Sequence, residues 1–112
     1  MKKDNQPYLR DIAKAIRTIE KYSTGINFEQ FFNEEMRHDA CLRQLEIIGE
    51  AANRLTNDLI KDYPEFPVKQ AVEMRNFLIH GYDDVNLETV WKTIQEDLPP
   101  LKIQVDKILE VK

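Results

Sequence analysis

The chain has 112 residues, 20 acidic and 16 basic side chains for a formal charge of −4, 42% hydrophobic residues and only three glycines. That balance excludes a disordered polyelectrolyte and a turn-rich sandwich; it favours one helical domain, residues 1–112, long enough to bury roughly two-thirds of its unfolded surface. The acidic excess argues against a general nucleic-acid binder, so any such contact has to be local.

In chain order, Met1-Lys2-Lys3 is basic but has no apolar stretch behind it, unlike a secretory leader. No apolar run approaches the roughly 18–20 residues of a membrane span. From Pro7 to Tyr22, the positions Tyr8, Leu9, Ile12, Ala15, Ile16 and Ile19 follow one helix face. Arg10, Lys14, Arg17 and Lys21 fall within about 60° of arc on the opposite face. This basic stripe fits a solvated outer face or a surface that tracks phosphates or docks a partner. Ser23-Thr24-Gly25-Ile26 reads as a turn, and Asn27 with Gln30 as a capping box for a short helix bearing Phe28, Phe31 and Phe32. These aromatics read as core or dimer contacts.

The spacing then predicts a long helical segment over 34–62, striped by Cys41, Leu45, Ile48, Ala52, Leu55 and Leu59. Gly49 and the alanines at 40, 51 and 52 permit a close helix approach. Glu50, beside them, reads as a surface carboxylate or as a partner for Arg75 or a second subunit. His38 reads as a surface residue. Cys41 is the only cysteine, which excludes an internal disulfide and fits a reducing cytoplasm.

Pro64 and Pro67 mark a loop. A fourth helix is predicted from Val68 to His80, apolar over a wide arc and therefore central. Asn86 caps a fifth, bearing Leu87, Val90, Trp91, Ile94 and Leu98, which Pro99-Pro100 must break or kink before Leu101, Val105 and Ile108 resume the pattern. No segment alternates with period two. The reading is an all-α antiparallel, up-and-down bundle of four or five helices.

Residues 75–82, Arg75-Asn76-Phe77-Leu78-Ile79-His80-Gly81-Tyr82, concentrate the chemistry. Arg75 is a permanent cation with a fork suited to phosphate. His80 can exchange a proton near neutral pH. On an α-helix the two stand ~7.5 Å apart in rise and about 140° in rotation, so one helix alone makes a poor site. A two-fold partner would bring both copies of each residue to one cleft. Gly81 suits a left-handed C′ position, leaving His80 at the helix end, which favours the imidazolium. Arg75 would hold a scissile phosphate while His80 serves as general base and then acid. That set suits RNA cleavage by the 2′-hydroxyl, leaving a cyclic phosphate and a 5′-hydroxyl. With two histidines and no carboxylate–histidine cluster, the sequence argues against metal catalysis. A purely structural account is also open: Arg75 pairs with Glu50 or Glu73, His80 caps a helix, and Tyr82 packs on Phe77.

Arg75-x4-His80-x-Tyr82 resembles the signature of the HepT family, a branch of the HEPN superfamily also known as DUF86. Ile48-Gly49-Glu50-Ala51, the proline-flanked loop, Val90-Trp91 and Leu98-Pro99 are similar to it too, and Val68 departs from it where many members carry tryptophan. The resemblance implies a HEPN-like, homodimeric, cytoplasmic toxin ribonuclease of a type VII toxin–antitoxin system. It implies Arg75 and His80 as the catalytic pair, Asn76 as the supporting polar residue and Tyr82 as the acceptor of AMP. The donor would be a cognate minimal nucleotidyltransferase antitoxin, and any ATP and magnesium would belong to that partner. No cofactor, metal, membrane or DNA partner is expected of this chain. Glu50 is a candidate to support Arg75 from behind without itself touching substrate. The rival reading is a non-catalytic subunit that binds substrate or nucleotide for the nucleotidyltransferase.

Overall fold

Helix α1 (Gln6–Ser23) starts with Pro7 in its first turn, where a missing N–H costs nothing. The computed structural model describes residues 4–78 and 85–110. Leu9, Ile12, Ile16 and Ile19 of α1 are fully buried, and Arg10, Lys14, Arg17 and Lys21 are exposed on the other side. Burial of each such aliphatic side chain is worth about 1.5–3 kcal/mol, and this stripe sets which way α1 faces. The helix stops at Thr24, whose backbone is extended, and Gly25 takes a left-handed φ of 83° that other residues avoid.

The predicted capping box is present on α2 (Phe28–Asn33): Gln30 N–H donates to Asn27 Oδ1 at 2.9 Å and Asn27 N–H to Gln30 Oε1 at 3.0 Å. Phe31 is fully buried, but Phe32 is 54% exposed. Trp91 reaches both Phe31 and Phe28, with centroids at 5.0 and 6.3 Å. Helix α3 (Glu35–Ala52) follows. Here His38 departs from its expected surface role. It is half-buried, its Nδ1 stands 3.0 Å from the Phe31 carbonyl oxygen, and its ring meets Phe31 edge-on. A polar ring at that point serves the last turn of α2, whose carbonyls lack intrahelical donors. Arg37 acts similarly, donating from Nη1 to the Tyr22 carbonyl at 2.8 Å and so tying α3 to the end of α1.

The segment predicted as one helix over 34–62 is two. After Ala52 the chain turns through residues 53–56 and restarts as α4 (Asn57–Asp62). Thr56 causes the restart: its backbone is extended and its hydroxyl accepts from Leu59 N–H at 3.4 Å. Asn5 fixes it from across the fold, donating from Nδ2 to the Thr56 hydroxyl at 3.0 Å and accepting from Thr56 N–H at 3.1 Å. Asn5 therefore caps nothing on its own helix.

Beyond the proline loop, where Phe66 is buried, α5 (Val68–Glu73) is one turn and a half long. The predicted continuous helix to His80 does not hold. At Met74 the N–H reaches back to the carbonyl of Ala71, and Met74–Leu78 is a 3-10 turn. Helix α6 (Leu87–Glu96) is capped by Asn86, which accepts from Thr89 N–H at 3.1 Å. A break is present but falls at Asp97, before the prolines: Leu98, expected on the fifth helix, instead opens a new helix, α7 (Leu98–Glu110), and both prolines lie in its first turn, where their missing N–H groups cost nothing.

Helix α3 is the centre of the fold: α1 packs along one side, α5 and the 3-10 turn along another, and α2 on its first turns. Helix α7 covers α1 and joins α6. Lys102 on α7 reaches Glu20 on α1 with Nζ 2.9 and 3.2 Å from the two carboxylate oxygens, and this hydrogen bond holds the ammonium above its usual pKa. Burial pushes the Cys41 thiol on α3 up to about 11, against a smaller opposing pull from Arg37. All elements among the described residues are helical, and none of these helices is long and apolar enough to cross a membrane.

Thr56→Ala removes the α4 cap and the hydrogen bond from Asn5 Nδ2, keeps the one from the backbone N–H to Asn5 Oδ1, and is expected to lower stability by about 1 kcal/mol in urea unfolding. Cys41 in the folded chain should resist iodoacetamide at pH 8, where almost none is thiolate, and react only on unfolding.

Candidate active site

The site begins with a glycine. Gly49 on α3 faces the start of the 3-10 turn, and a Cβ placed there would lie 2.5 Å from the Arg75 Cβ, 2.6 Å from the Arg75 backbone nitrogen and 2.9 Å from the Val72 carbonyl oxygen. Ordinary carbon contacts need roughly 3.5–4.0 Å. Two of the three atoms are backbone, so no side-chain rotation relieves the overlap. Only glycine lets Arg75 sit this close to α3. Ala52 and Ala71, fully buried, keep the same seam narrow.

Glu50, the next residue, addresses the other end of Arg75. Its Oε1 is 3.4 Å from Arg75 Nη1, and the side chains are 56% and 33% exposed. The structural alternative of a pair with Glu50 rather than Glu73 is therefore the one realised. In water this long single contact orients the guanidinium more than it stabilises the fold. Gly49 and Glu50 together place Arg75: one seats the backbone, the other aims the head group.

Asn76, adjacent to Arg75, is exposed and lines a cleft of about 310 Å3 against α6. His80 and Tyr82, with Gly81, lie outside the described residues. The α-helical rise and rotation drawn between Arg75 and His80 fail from the outset, because the 3-10 turn advances about 2.0 Å per residue and repeats every three. From Arg75 to Leu78 the backbone rises ~6 Å rather than ~4.5 Å.

Beside the pair, Arg43, Glu46, Glu50 and Arg54 follow one another along α3 and the turn after it, and with Asp11 of α1 they border a cleft of about 260 Å3. Two cations flank two carboxylates there, so the field is mixed. Residue-pattern reading pointed to small residues near Glu50 but not to Gly49 as the seat of Arg75; the signal, an adjacent Gly-Glu facing a predicted central helix, was present without its partner. Among the described residues no three His, Cys, Asp or Glu side chains converge as a metal site.

A partly exposed arginine, held by a glycine and a carboxylate on the central helix, defines the site. The chain matches the family model described as "Ribonuclease HepT-like" over residues 12–108. It is 42% identical over 108 residues to the "Probable ribonuclease HepT" of Thermococcus cleftensis, covering 96% of this chain and 98% of that protein. It is 35% identical over 105 residues to a provisionally named RNase of Methanocaldococcus jannaschii, covering 94% and 96%. A protein of the same organism, named for both a gamma-glutamylcyclotransferase and an RNase, shares 37% identity with 98% of this chain, across 50% of its own length. No solved structure matches at a significant level. The chain belongs to the HepT-like ribonuclease family.

Gly49→Ala is expected to cost about 1–3 kcal/mol in thermal or urea unfolding, because backbone must move to admit the methyl group. Glu50→Ala, one residue on, should change stability by less than ~1 kcal/mol, since the pair is well exposed to water.

Proposed function

We propose that the chain is a metal-independent endoribonuclease and the toxin of a type VII toxin–antitoxin pair. Arg75 binds the scissile phosphate and His80 serves as general base toward the 2′-hydroxyl and then as acid toward the leaving 5′-oxygen. Membership of a ribonuclease family supports the reaction class. The observation that carries the residue assignment is the seat of Arg75. The central helix commits a glycine and a carboxylate to an arginine whose side chain is left one-third exposed, instead of burying an apolar side chain there. A guanidinium has five N–H donors, and the Glu50 contact engages Nη1, so its other donors suit a phosphate.

The homodimer belongs to the same proposal. A two-fold axis would supply a second Arg75 and His80 to one cleft and double the local positive charge that an acidic chain otherwise lacks. Neutralisation by a cognate minimal nucleotidyltransferase, through transfer of AMP to Tyr82, follows from the family signature. The added phosphodiester carries negative charge and bulk seven residues beyond Arg75, where it would compete with RNA for the guanidinium.

The test is cleavage of a mixed RNA panel in EDTA by purified chain and by His80→Ala. Wild type is expected to yield 2′,3′-cyclic phosphate ends, and His80→Ala none, with the same oligomeric state in light scattering. Arg75→Lys should lower kcat by ~100-fold or more, because an ammonium cannot replace a bidentate fork. Tyr82→Phe should remain active yet take up no AMP from ATP when mixed with the nucleotidyltransferase. If wild type cleaves nothing while intact mass shows Tyr82 unmodified, the chain is instead a non-catalytic binding subunit of that enzyme.

A further inference from the structure

The cations on the outside of α1 have no part in the site described so far. Arg10, Lys14, Arg17 and Lys21 are all exposed and lie within about 60° of arc. They climb the helix in steps of ~6, ~4.5 and ~6 Å, a straight row ~16.5 Å long. Among the described residues none of them is paired with a carboxylate, whereas Arg37, Arg75 and Lys102 each meet a glutamate. The acids of α1 itself are Asp11 and Glu20. Glu20 is engaged by Lys102 of α7, and Asp11 borders the cleft shared with α3. The row is thus an unneutralised positive strip on a chain whose net charge is −4.

We propose that this strip is a second RNA contact, which holds the phosphate backbone of the substrate away from the scissile bond. The occupant follows from what the strip has and what it lacks. A phosphate backbone is bound by cations in a row and needs no apolar pocket. A protein interface is built round an apolar or aromatic centre, and α1 exposes no large apolar side chain. A helix lying on a membrane sinks an apolar face into lipid, and here that face, with Leu9, Ile12, Ile16 and Ile19, is fully buried in the core. RNA is the polyanion that a member of a ribonuclease family handles. A helical strand carries one charge per ~3.4 Å of axis, so the row spans about five phosphates. Helix α1 runs antiparallel to α3: Tyr8 at its start borders the cleft that also holds Glu50, and the Tyr22 carbonyl at its end meets Arg37. The Arg10 end of the row is therefore the nearer to Arg75, about two helix diameters or ~20 Å away. Between them the cleft mixes Arg43 and Arg54 with Asp11, Glu46 and Glu50, so RNA is gripped at two places rather than along one track. The inference rests on RNA as the substrate and not on the roles given to Arg75 and His80.

The test measures binding of the full chain to a ~20-nucleotide 2′-O-methyl RNA, which lacks the attacking hydroxyl, by fluorescence anisotropy between ~50 and ~200 mM salt. One variant combines Arg10→Gln, Lys14→Gln, Arg17→Gln and Lys21→Gln. A control combines Lys61→Gln, Lys69→Gln, Lys92→Gln and Lys107→Gln, exposed on other helices, and has the same net charge. The strip variant is expected to bind at least ~30-fold more weakly at ~100 mM salt and to lose ~3 from the slope of log affinity against log salt; the control should weaken by less than ~3-fold. Lys14→Gln with Arg17→Gln alone should lose about half of that slope. Equal losses in the strip variant and the control, unchanged binding by the strip variant, or a defect seen with phosphatidylserine vesicles and not with RNA overturns the strip. The 2′-O-methyl RNA reports binding without turnover, so the two proposals fail separately: strip-dependent binding by a chain that cuts no RNA refutes the nuclease assignment alone, and cleavage with strip-independent binding refutes the strip alone.

Discussion

At Gly49 the central helix presents bare backbone, and the chain carrying Arg75 lies directly on it, closer than any side chain would allow. The other features of the site depend on that contact. It brings the 3-10 turn against α3, sets the reach from which Glu50 meets Nη1, and leaves Asn76 turned toward α6. It also accounts for the change of helix type. A regular α-helix through Met74–Leu78 would have a wider turn, and tightening to three residues per turn lets the strand of backbone follow the seam along α3. Close packing elsewhere in the core, where Leu45, Ile48 and Ala71 are fully buried, holds both sides of the seam in place.

The electrostatics of the site are modest in the folded chain alone. The Arg75–Glu50 contact is exposed and long, and the neighbouring cations Arg43 and Arg54 flank the carboxylates Glu46 and Glu50. An exposed ion pair of this kind is worth little in stability. A buried, fully satisfied guanidinium would have no donor left for a ligand. The pair holds the head group in a small range of orientations while keeping it accessible to water and to an incoming anion.

The helices away from the site are held by their apolar stripes and joined as well by polar contacts between elements. Asn5 clamps Thr56, Arg37 reaches Tyr22, and Lys102 reaches Glu20. Each joins the end of one helix to another helix, where unpaired backbone groups or exposed side chains await a partner. His38 belongs to this set. A histidine among charged neighbours in the sequence becomes, in three dimensions, the group that meets the last turn of α2.

The sequence by itself determined the helical class, the core face of α1, the caps at Asn27 and Asn86, the turn over residues 23–26 and the presence of a break near Pro99-Pro100. These follow from side-chain periodicity, capping chemistry and the limits of proline and glycine, all of which act within a few residues. It also marked Arg75, His80 and Tyr82 as a set, through their resemblance to a family signature. Tertiary structure alone decided the split after Ala52, because the clamp on Thr56 comes from a residue 51 positions away. It decided the role of His38, the choice of Glu50 over Glu73 as partner of Arg75, and the 3-10 turn in place of a continuing helix. The reason is the same in each case: a local pattern states which backbone shapes are allowed, and contact with a distant element selects among them.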